Sequence, residues 1–404
     1  MPRNSHLRAH GDHADHSVSP LELFFDLVFV FAVTQLSHYL LAHHSLIGAL
    51  QTLVMFLAVW WAWIYTAWAT NWLDPNRAPV RLILLVVMLL SMVLSSAIPL
   101  AFGPAGLVFA LAYAGIQVGR TLYTAWAREG IGRGNSTNML RATFYFMASA
   151  VLWIAGGLDA DPGRRLLWWL AALAIEYAGP FTMFHVPGMG RSSPDEWRIS
   201  GAHMAERAGL FIIIALGEGI IVTGATFAEL QPAGPAILAF LSAFVGSVAM
   251  WWIYFDVGAR RGVELIEHDD RPGLIGRQAY TYGHIPIVAG IILLAVADEQ
   301  ALVHPEGHLE PYYVAALIGG ALAFIGGAGL FKRMTSPIQR WPLSHVTGLG
   351  LFALLGAGGW LAHPQPLHLH LAATGLFLLI ALWEWGSYHG GWRERFARLR
   401  GRSG

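Results

Sequence analysis

The sequence predicts an all-α polytopic membrane protein of about twelve transmembrane helices in two like-oriented six-helix repeats. Of its 404 residues, 55% are hydrophobic and only 12% are charged, and the mean hydropathy is +0.51. Soluble domains usually carry about 25% charged residues. The deficit of charge extends along the whole chain, which favours a protein embedded in lipid throughout its length.

Twelve apolar segments are long enough to span a bilayer, which takes about 20 mainly apolar residues. They lie at 21–40, 45–70, 79–101, 104–127, 139–157, 165–184, 204–228, 233–257, 282–301, 311–331, 343–361 and 367–386. The first 17 residues contain no apolar core of a signal peptide, so we expect the first helix to act as the insertion signal.

The positions of the basic residues predict the orientation. Of 25 Lys and Arg residues, 21 lie in the two tails or in the loops that follow even-numbered segments. Cytoplasmic loops are enriched in Lys and Arg. We therefore expect a multi-pass protein of the inner (plasma) membrane with both termini in the cytoplasm.

The chain divides into two similar halves between short tails. We expect a histidine-rich cytoplasmic tail at 1–17, a first half at 18–184, a cytoplasmic connector at 185–203, a second half at 204–386 and a basic cytoplasmic tail at 387–404. The two halves align at several positions, and the alignment places Asp26 on Glu206, Phe31 on Phe211, Leu36 on Leu216 and His38 on Glu218. Because each half has six helices, both would have the same orientation.

Glu22 and Asp26 are the most informative residues of the first helix. They lie four residues apart and share one helical face. A carboxylate at the centre of a membrane helix costs about 2.5–3.5 kcal/mol on insertion scales. Solvation at the interface would explain Glu22, whereas Asp26 lies deeper and is the better candidate for a cation or proton site. The alignment makes Arg207 the expected partner of Asp26.

His38 and Glu218 define a second level of ionisable groups. Each lies 12 residues beyond its aligned acid, which is about 18 Å along a helix. Glycines flank Glu218, so we expect another helix or a ligand to approach it closely. Glu176, near the middle of the sixth segment, is a further candidate for the polar route.

The tryptophans of the second segment allow two interpretations. An interfacial aromatic belt explains Trp68 and Trp72. Trp60, Trp61 and Trp63 lie deeper, either as core residues or as the wall of a cavity for an organic cation or an apolar ligand. His6, His10, His13 and His16 bind a divalent metal only if the tail becomes helical, and a solvated tail is the simpler expectation.

Several functional classes lack support. The formal net charge of zero gives no reason to expect nucleic acid as a partner, and the absence of cysteine excludes disulfides and thiolate chemistry. No catalytic motif, cofactor fingerprint or metal-ligand spacing stands in a credible context. We therefore expect no enzyme activity, no cofactor and no metal site.

Two segments carry a resemblance to a known family. ELFFDLVFVFAVTQLSHYL (22–40) and HMAERAGLFIIIALGEGI (203–220) resemble signature segments of the bacterial low temperature requirement protein A (LtrA) family. The resemblance covers nearly the whole chain from about residue 18. It implies an integral membrane protein, and the family's name suggests a link to low-temperature growth. The resemblance does not indicate a particular substrate.

The residues favour a secondary transporter or channel-like protein for a small solute or cation, with proton coupling through intramembrane carboxylates. Glu22, Asp26, His38, Glu176, Glu206, Arg207 and Glu218 are the candidate binding residues. The alternative is a non-transporting membrane sensor, lipid-binding or stress-adaptation protein, in which these acids form structural pairs. The expected partners are the lipid bilayer and a small solute, cation or proton. The glycine-rich segment at 311–331 suits close packing within the bundle or in a homo-oligomer.

Overall fold

The protein is helical throughout the part of the chain that the structure describes. A computed structural model describes residues 6–8, 17–127, 133–193, 197, 199–230, 234–268, 272–336 and 338–388, and these ranges contain no β-strand. Isolated backbone bridges join Leu7 to Leu73 and Val186 to Gly190.

Each predicted apolar segment coincides with a helix. The helices are α1 (Pro20–Ala42), α2 (Leu46–Trp72), α3 (Ala78–Ala97), α4 (Gly106–Ala127), α5 (Arg133–Leu158), α6 (Pro162–Phe181), α7 (Gly201–Glu229), α8 (Gly234–Ile253), α9 (Arg260–His268), α10 (Pro272–Ile275), α11 (Ile285–Val303), α12 (Pro311–Met334), α13 (Leu343–Ala362) and α14 (Pro366–Tyr388). A 3₁₀ turn (Ile98–Leu100) follows α3, and π-helical turns lie at Tyr254–Ala259 and Gly276–Tyr282.

Local sequence signals explain where several helices begin. Pro20, Pro162 and Pro311 are the first residues of their helices, where the missing proline N–H leaves no bond unmade. The side chain of Asp161 accepts a hydrogen bond from the backbone N–H of Arg164 at 2.7 Å and caps α6.

Ten helical segments of the described chain are long and apolar enough to cross a membrane. They comprise α1, α2, α3, α5, α7, α8, α11, α12, α13 and α14, some with the turns that adjoin them. Since α4 and α6 are not among these ten segments, the number twelve stays a prediction.

Exposed leucines on α3 support the membrane assignment. Leu82 and Leu89 are 64% and 65% exposed, whereas Val80, Leu84 and Val87 are buried. One stripe of the helix therefore packs inward while the opposite apolar stripe has no protein cover. A large exposed apolar surface of this kind marks contact with lipid or with another protein.

The chain forms two compact units. Unit 1 comprises 1–214 and 266–281, and unit 2 comprises 215–265 and 282–404, so that the division passes through α7. The predicted halves at 18–184 and 204–386 are defined by similarity of sequence, so this division by contacts does not test them. In unit 1, α4 packs against α3 and α5, and α5 packs against α6. The α2 residues Trp60, Trp61 and Trp63 lie in the core with at most 1% exposure.

Two parts of unit 1 differ from the sequence expectations. Trp68 and Trp72 are buried among protein atoms and form no interfacial belt. Residues 6–8 of the expected solvated tail pack against the end of α2, where Arg8 N–H donates to the Trp72 carbonyl at 2.9 Å. The other histidines of the tail pattern, His10, His13 and His16, lie outside the described residues.

Close helix contacts at glycine hold unit 2 together. A Cβ atom on Gly290 of α11 would lie 2.5 Å from the backbone nitrogen of Phe324, and one on Gly327 of α12 would lie 2.8 Å from the backbone nitrogen of Ile287. Only glycine permits this approach. Around this pair, α13 packs against α12, and α14 packs against α8 and α13.

Candidate functional site

The start of α1 fixes the position of the first acid. Ser19 is the N-cap residue, and its hydroxyl accepts a hydrogen bond from the Glu22 N–H while the Glu22 carboxylate accepts one from the Ser19 N–H. This reciprocal capping box, with Pro20 at the first position, is a strong signal for a helix start. It turns Glu22 toward the N-terminus of α1 and places Asp26 one turn further along.

Glu22 is buried and fully bonded, which corrects the expectation of solvation at an interface. It is 1% exposed. Its Oε2 accepts from Arg8 Nη2 at 2.7 Å and from Ser19 Oγ at 2.8 Å, and its Oε1 lies 2.8 Å from His203 Nε2. The N-terminal segment and α7 together supply the partners that water would otherwise provide.

Asn71 orients the His203 ring. The Asn71 side-chain nitrogen donates to the Ser200 carbonyl at 2.9 Å and lies 3.2 Å from His203 Nδ1. An amide nitrogen only donates, so Nδ1 acts as the acceptor and Nε2 carries the proton toward Glu22. The neutral imidazole therefore satisfies this contact.

Asp26 lies against Arg207, the partner expected from the sequence. Arg207 Nη2 donates to Asp26 Oδ1 at 2.8 Å, and the indole N–H of Trp63 donates to the same oxygen at 2.8 Å. Both charged side chains are completely buried. The guanidinium also lies over the rings of Phe25 and Trp63, at 5.8 and 5.7 Å from the ring centroids.

These contacts form two rungs of an acid–base ladder within unit 1. Glu22 and Asp26 are four residues apart on α1, and His203 and Arg207 are four residues apart on α7. Glu22 contacts His203 and Asp26 contacts Arg207, so the two helical segments run in the same direction past each other. We call these four residues the ladder.

The second rung leaves polar atoms without partners. Asp26 Oδ2, Arg207 Nε and Arg207 Nη1 are buried and have no hydrogen-bond partner among the described residues. An unsatisfied buried polar group costs about 1–3 kcal/mol, and more when it is charged. Water or a solute that offers both hydrogen-bond donors and acceptors would satisfy these atoms.

Glu206 and His38 lie outside this interior. Both are exposed, and Glu206 accepts a hydrogen bond from the Val18 N–H at 3.1 Å. Successive residues on a helix point about 100° apart, so α7 cannot direct both Glu206 and Arg207 toward Asp26. Glu206 is thus not a buried counterpart of Asp26.

Glu218 is buried in unit 2, on the part of α7 beyond the division. The flanking glycines do not make the expected close approach. A Cβ on Gly217 would meet no heavy atom within 4 Å, and one on Gly219 would be at an ordinary 3.6 Å from Ala295.

Glu176 has a different environment from the ladder. It is buried in unit 1 and accepts hydrogen bonds from Tyr113 OH at 2.5 Å, Ser149 Oγ at 2.6 Å and Trp153 Nε1 at 3.0 Å. Arg120 does not bind it and instead donates to the Ala62 carbonyl at 3.1 Å. Both carboxylate oxygens of Glu176 have donors, which is the pattern of a satisfied structural acid.

An aromatic cavity lies in unit 1 at the ends of α2 and α6. It encloses about 580 Å³ of space between atoms, including open solvent at its mouth. The walls include Tyr65, Trp68, Phe184, Trp197, Arg277 and Thr281. Trp60, Trp61 and Trp63 do not line it, which favours the interpretation of these three tryptophans as core residues.

The cavity connects to Asp26 through packed side chains. Trp68 Nε1 donates to Thr281 Oγ1 at 3.0 Å, and Trp60 Nε1 donates to the Thr281 carbonyl at 2.9 Å. The Trp60 and Trp63 rings are 5.1 Å apart, and Trp63 binds Asp26. The indoles of Trp60 and Trp63 thus lie between Thr281 and the second rung.

Sequence reasoning missed three residues of this site: Arg8, Trp63 as a donor, and His203. His203 had a readable signal, because it lies four residues before Arg207 as Glu22 lies four before Asp26. Arg8 had none, since it sits in a polar tail with no periodicity.

The architecture and site define an α-helical, multi-pass membrane protein with a buried acid–base ladder. The model of the family described as "Bacterial low temperature requirement A protein (LtrA)" matches residues 17–382. The chain belongs to the LtrA family.

A bacterial protein is similar over most of the chain. An uncharacterized protein of Rhizobium meliloti (strain 1021) is 40% identical over 367 residues, which cover 90% of this chain and 88% of the relative. No solved structure matches the chain.

Proposed function

We propose that this protein is a proton-coupled secondary transporter of a small solute or cation. The observation that carries the proposal is the Asp26–Arg207 pair, which is fully buried yet leaves three of its polar atoms without hydrogen-bond partners among the described residues. A purely structural pair is stable only when its remaining donors and acceptors are also satisfied. Intramembrane ionisable groups that lack this support mark ion or proton pathways.

Protonation of Asp26 supplies a switch. In the structure the carboxylate holds the Arg207 guanidinium at 2.8 Å. A proton on Asp26 removes the attraction and frees a cation in the interior, which then favours a different arrangement of α1 and α7 or an incoming anionic group. A ligand or proton shifts such an equilibrium only by its differential affinity for the two states.

The transporter architecture includes twelve spans in two repeats. The lengths of α4 and α6, 22 and 20 residues, support the two spans beyond the ten apolar segments. A parallel between the sixth helices supports the duplication. Glu176 on α6 is held from α4 and α5, while Glu384 on α14 contacts Lys332 on α12 at 2.5 Å and His345 on α13 at 3.5 Å. The bias of the basic residues supports cytoplasmic termini in the inner membrane.

Solid-supported-membrane electrophysiology on proteoliposomes tests the proposal. Jumps of K⁺, Na⁺, choline and glycine are applied at pH 6 and pH 8. We expect at least one to drive a protein-dependent current whose size changes with pH, is lost in Asp26→Asn and persists in the exposed control Glu206→Gln. Currents indistinguishable from those of empty liposomes for all four solutes would overturn it.

The second candidate is a non-transporting sensor or lipid-adaptation protein without catalytic activity. One observation favours it: Asp26 and Arg207 are paired in a closed interior, the arrangement expected of a structural lock. It predicts that the double variant Asp26→Leu/Arg207→Met, which keeps the packing and removes both charges, still performs the sensing or lipid-adaptation role. The transporter proposal predicts its loss.

A further inference from the structure

Unit 2 contains a chain of hydrogen bonds from an acid to a backbone carbonyl. His370 Nε2 of α14 lies 2.8 Å from Asp298 Oδ1 of α11, and its Nδ1 lies 2.9 Å from Ser242 Oγ of α8. Ser242 Oγ is 2.9 Å from Thr374 Oγ1, which also lies 3.3 Å from the Ser242 carbonyl. The four side chains come from three helices and are all buried.

When His370 is neutral, both of its ring nitrogens have hydrogen-bond partners in this network. With the proton on Nε2, His370 donates to Asp298 and Nδ1 accepts from the Ser242 hydroxyl. The Ser242 oxygen then accepts from the Thr374 hydroxyl. Every atom in the chain has a partner, since a hydroxyl both donates and accepts.

When His370 is positively charged, both of its ring N–H groups also have acceptors in this network. An imidazolium donates from both nitrogens, so Nδ1–H donates to Ser242 Oγ. The Ser242 hydroxyl turns to donate to Thr374 Oγ1, and the Thr374 hydroxyl donates to the Ser242 carbonyl. Only two hydroxyl rotations separate the states, so neither protonation state leaves a buried polar atom without a partner.

A small cavity opens beside this network of hydrogen bonds. It is lined by Asp298, His370 and Thr374 together with Ser247, Leu294 and Phe377, and encloses about 250 Å³ of space between atoms, including open solvent.

Of the other ionisable groups on the surrounding helices, Glu384 of α14 lies 14 residues beyond His370, about 21 Å along the helix, where it contacts Lys332 of α12 and His345 of α13. On α11, Glu299 is partly exposed, and on α12 the Tyr313 hydroxyl donates to the Pro366 carbonyl at 3.1 Å. On the unit 2 part of α7, Glu218 is buried and Glu229 is exposed. The stretch of α8 around Ser242 has no charged residue, and His368 of α14 is exposed.

We propose that Asp298, His370, Ser242 and Thr374 form a proton-binding site in unit 2. The ligand is one proton, which adds to His370 Nδ1 and converts the neutral imidazole beside the Asp298 carboxylate into an imidazolium. The hydroxyls of Ser242 and Thr374 reverse direction to accommodate it. This site shares no residue with the ladder and does not depend on the transport proposal.

Nitrogen NMR of ¹⁵N-histidine-labelled full-length protein in liposomes tests the site between pH 5 and pH 9. His370→Gln identifies the His370 signals by their loss. We expect Nδ1 to be protonated at the acid end and unprotonated at the alkaline end. A His370 signal that keeps one protonation state over the whole range would overturn the proposal.

Two variants test the assigned roles. Asp298→Asn removes the charge that stabilises the imidazolium, so the ratio of charged to neutral His370 at a given pH should fall at least tenfold. His368→Gln, two residues away and exposed, should leave that ratio unchanged. An unchanged ratio in Asp298→Asn, with the other histidine signals native, would also overturn the proposal.

Discussion

Asp26 and Glu176 are both buried carboxylates of unit 1, yet they are held in opposite ways. Glu176 receives three neutral donors on its two oxygens. Asp26 receives a cation and an indole on one oxygen, and its other oxygen has no partner among the described residues. The two carboxylates are equally buried, but Glu176 has hydrogen-bond donors on both oxygens and Asp26 has them on one.

The difference teaches that burial alone does not identify a functional acid. Three well-placed neutral donors offset much of the desolvation cost of Glu176, which then ties α4, α5 and α6 together. Asp26 Oδ2 has no hydrogen-bond donor among the described residues, and Arg207 Nε and Nη1 have no acceptor there. We therefore expect Glu176 to matter for folding and Asp26 to matter for activity.

Breaking the charged pair should have the largest effect on stability. Arg207→Met leaves Asp26 buried without a cation, and removing one partner of a buried ion pair costs about 3–5 kcal/mol. The free energy of unfolding in mixed detergent micelles measures the loss. Asp26→Leu/Arg207→Met should recover most of it, and a double variant no more stable than Arg207→Met would contradict the pairing.

Replacing Glu176 should cost less and spare activity. Glu176→Gln keeps one acceptor oxygen and places an NH₂ group among three donors. We expect a loss of about 1.5–3 kcal/mol in the free energy of unfolding, the range for hydrogen bonds to a charged group. The solute-driven current per folded protein should be unchanged. A current abolished in well-folded Glu176→Gln would reverse the roles assigned to the two acids.

The indole donor to Asp26 should contribute about 1.5 kcal/mol, the lower end of the range for a hydrogen bond to a charged group. Trp63→Phe keeps most of the packing and removes the 2.8 Å hydrogen bond. Trp126→Phe, at a position 57% exposed, is the matched control and should leave the free energy of unfolding unchanged. Equal effects of the two substitutions would remove Trp63 from the site.

The exposed acid should have the smallest effect. Glu206→Gln removes an exposed charge whose hydrogen bond within the described part of the chain comes from the Val18 N–H at 3.1 Å. Surface substitutions usually change stability by less than about 0.5 kcal/mol, and we expect native current and stability. A loss comparable to that of Asp26→Asn would restore Glu206 as an interior counterpart of Asp26.

Much of this fold was readable from apolar run length, because membrane helices must satisfy their own backbone and leave a long hydrophobic signal. The pair of Asp26 and Arg207 was also readable, from the cost of burying the Asp26 charge together with the alignment of the two halves, which places Arg207 beside the counterpart of Asp26. The environments of Glu22 and His38 were not, since depth along a helix says nothing about which face is covered. Arg8 shows the limit most clearly, because a tail residue became a partner of Glu22 only through folding.

The His370 chain was missed for a related reason. Asp298 and His370 lie 72 positions apart, and neither stands in a motif. Sequence spacing cannot show that α8, α11 and α14 bring four polar side chains together.

A pH-step measurement on proteoliposomes tests the contrast between Asp26 and Glu176 most directly. A pH step applied to a solid-supported membrane should produce a transient current in the wild type. We predict that this current is lost in Asp26→Asn and retained in folded Glu176→Gln. Equal currents in all three proteins, or a loss confined to Glu176→Gln, would contradict the assignment of Asp26 as the proton-linked acid.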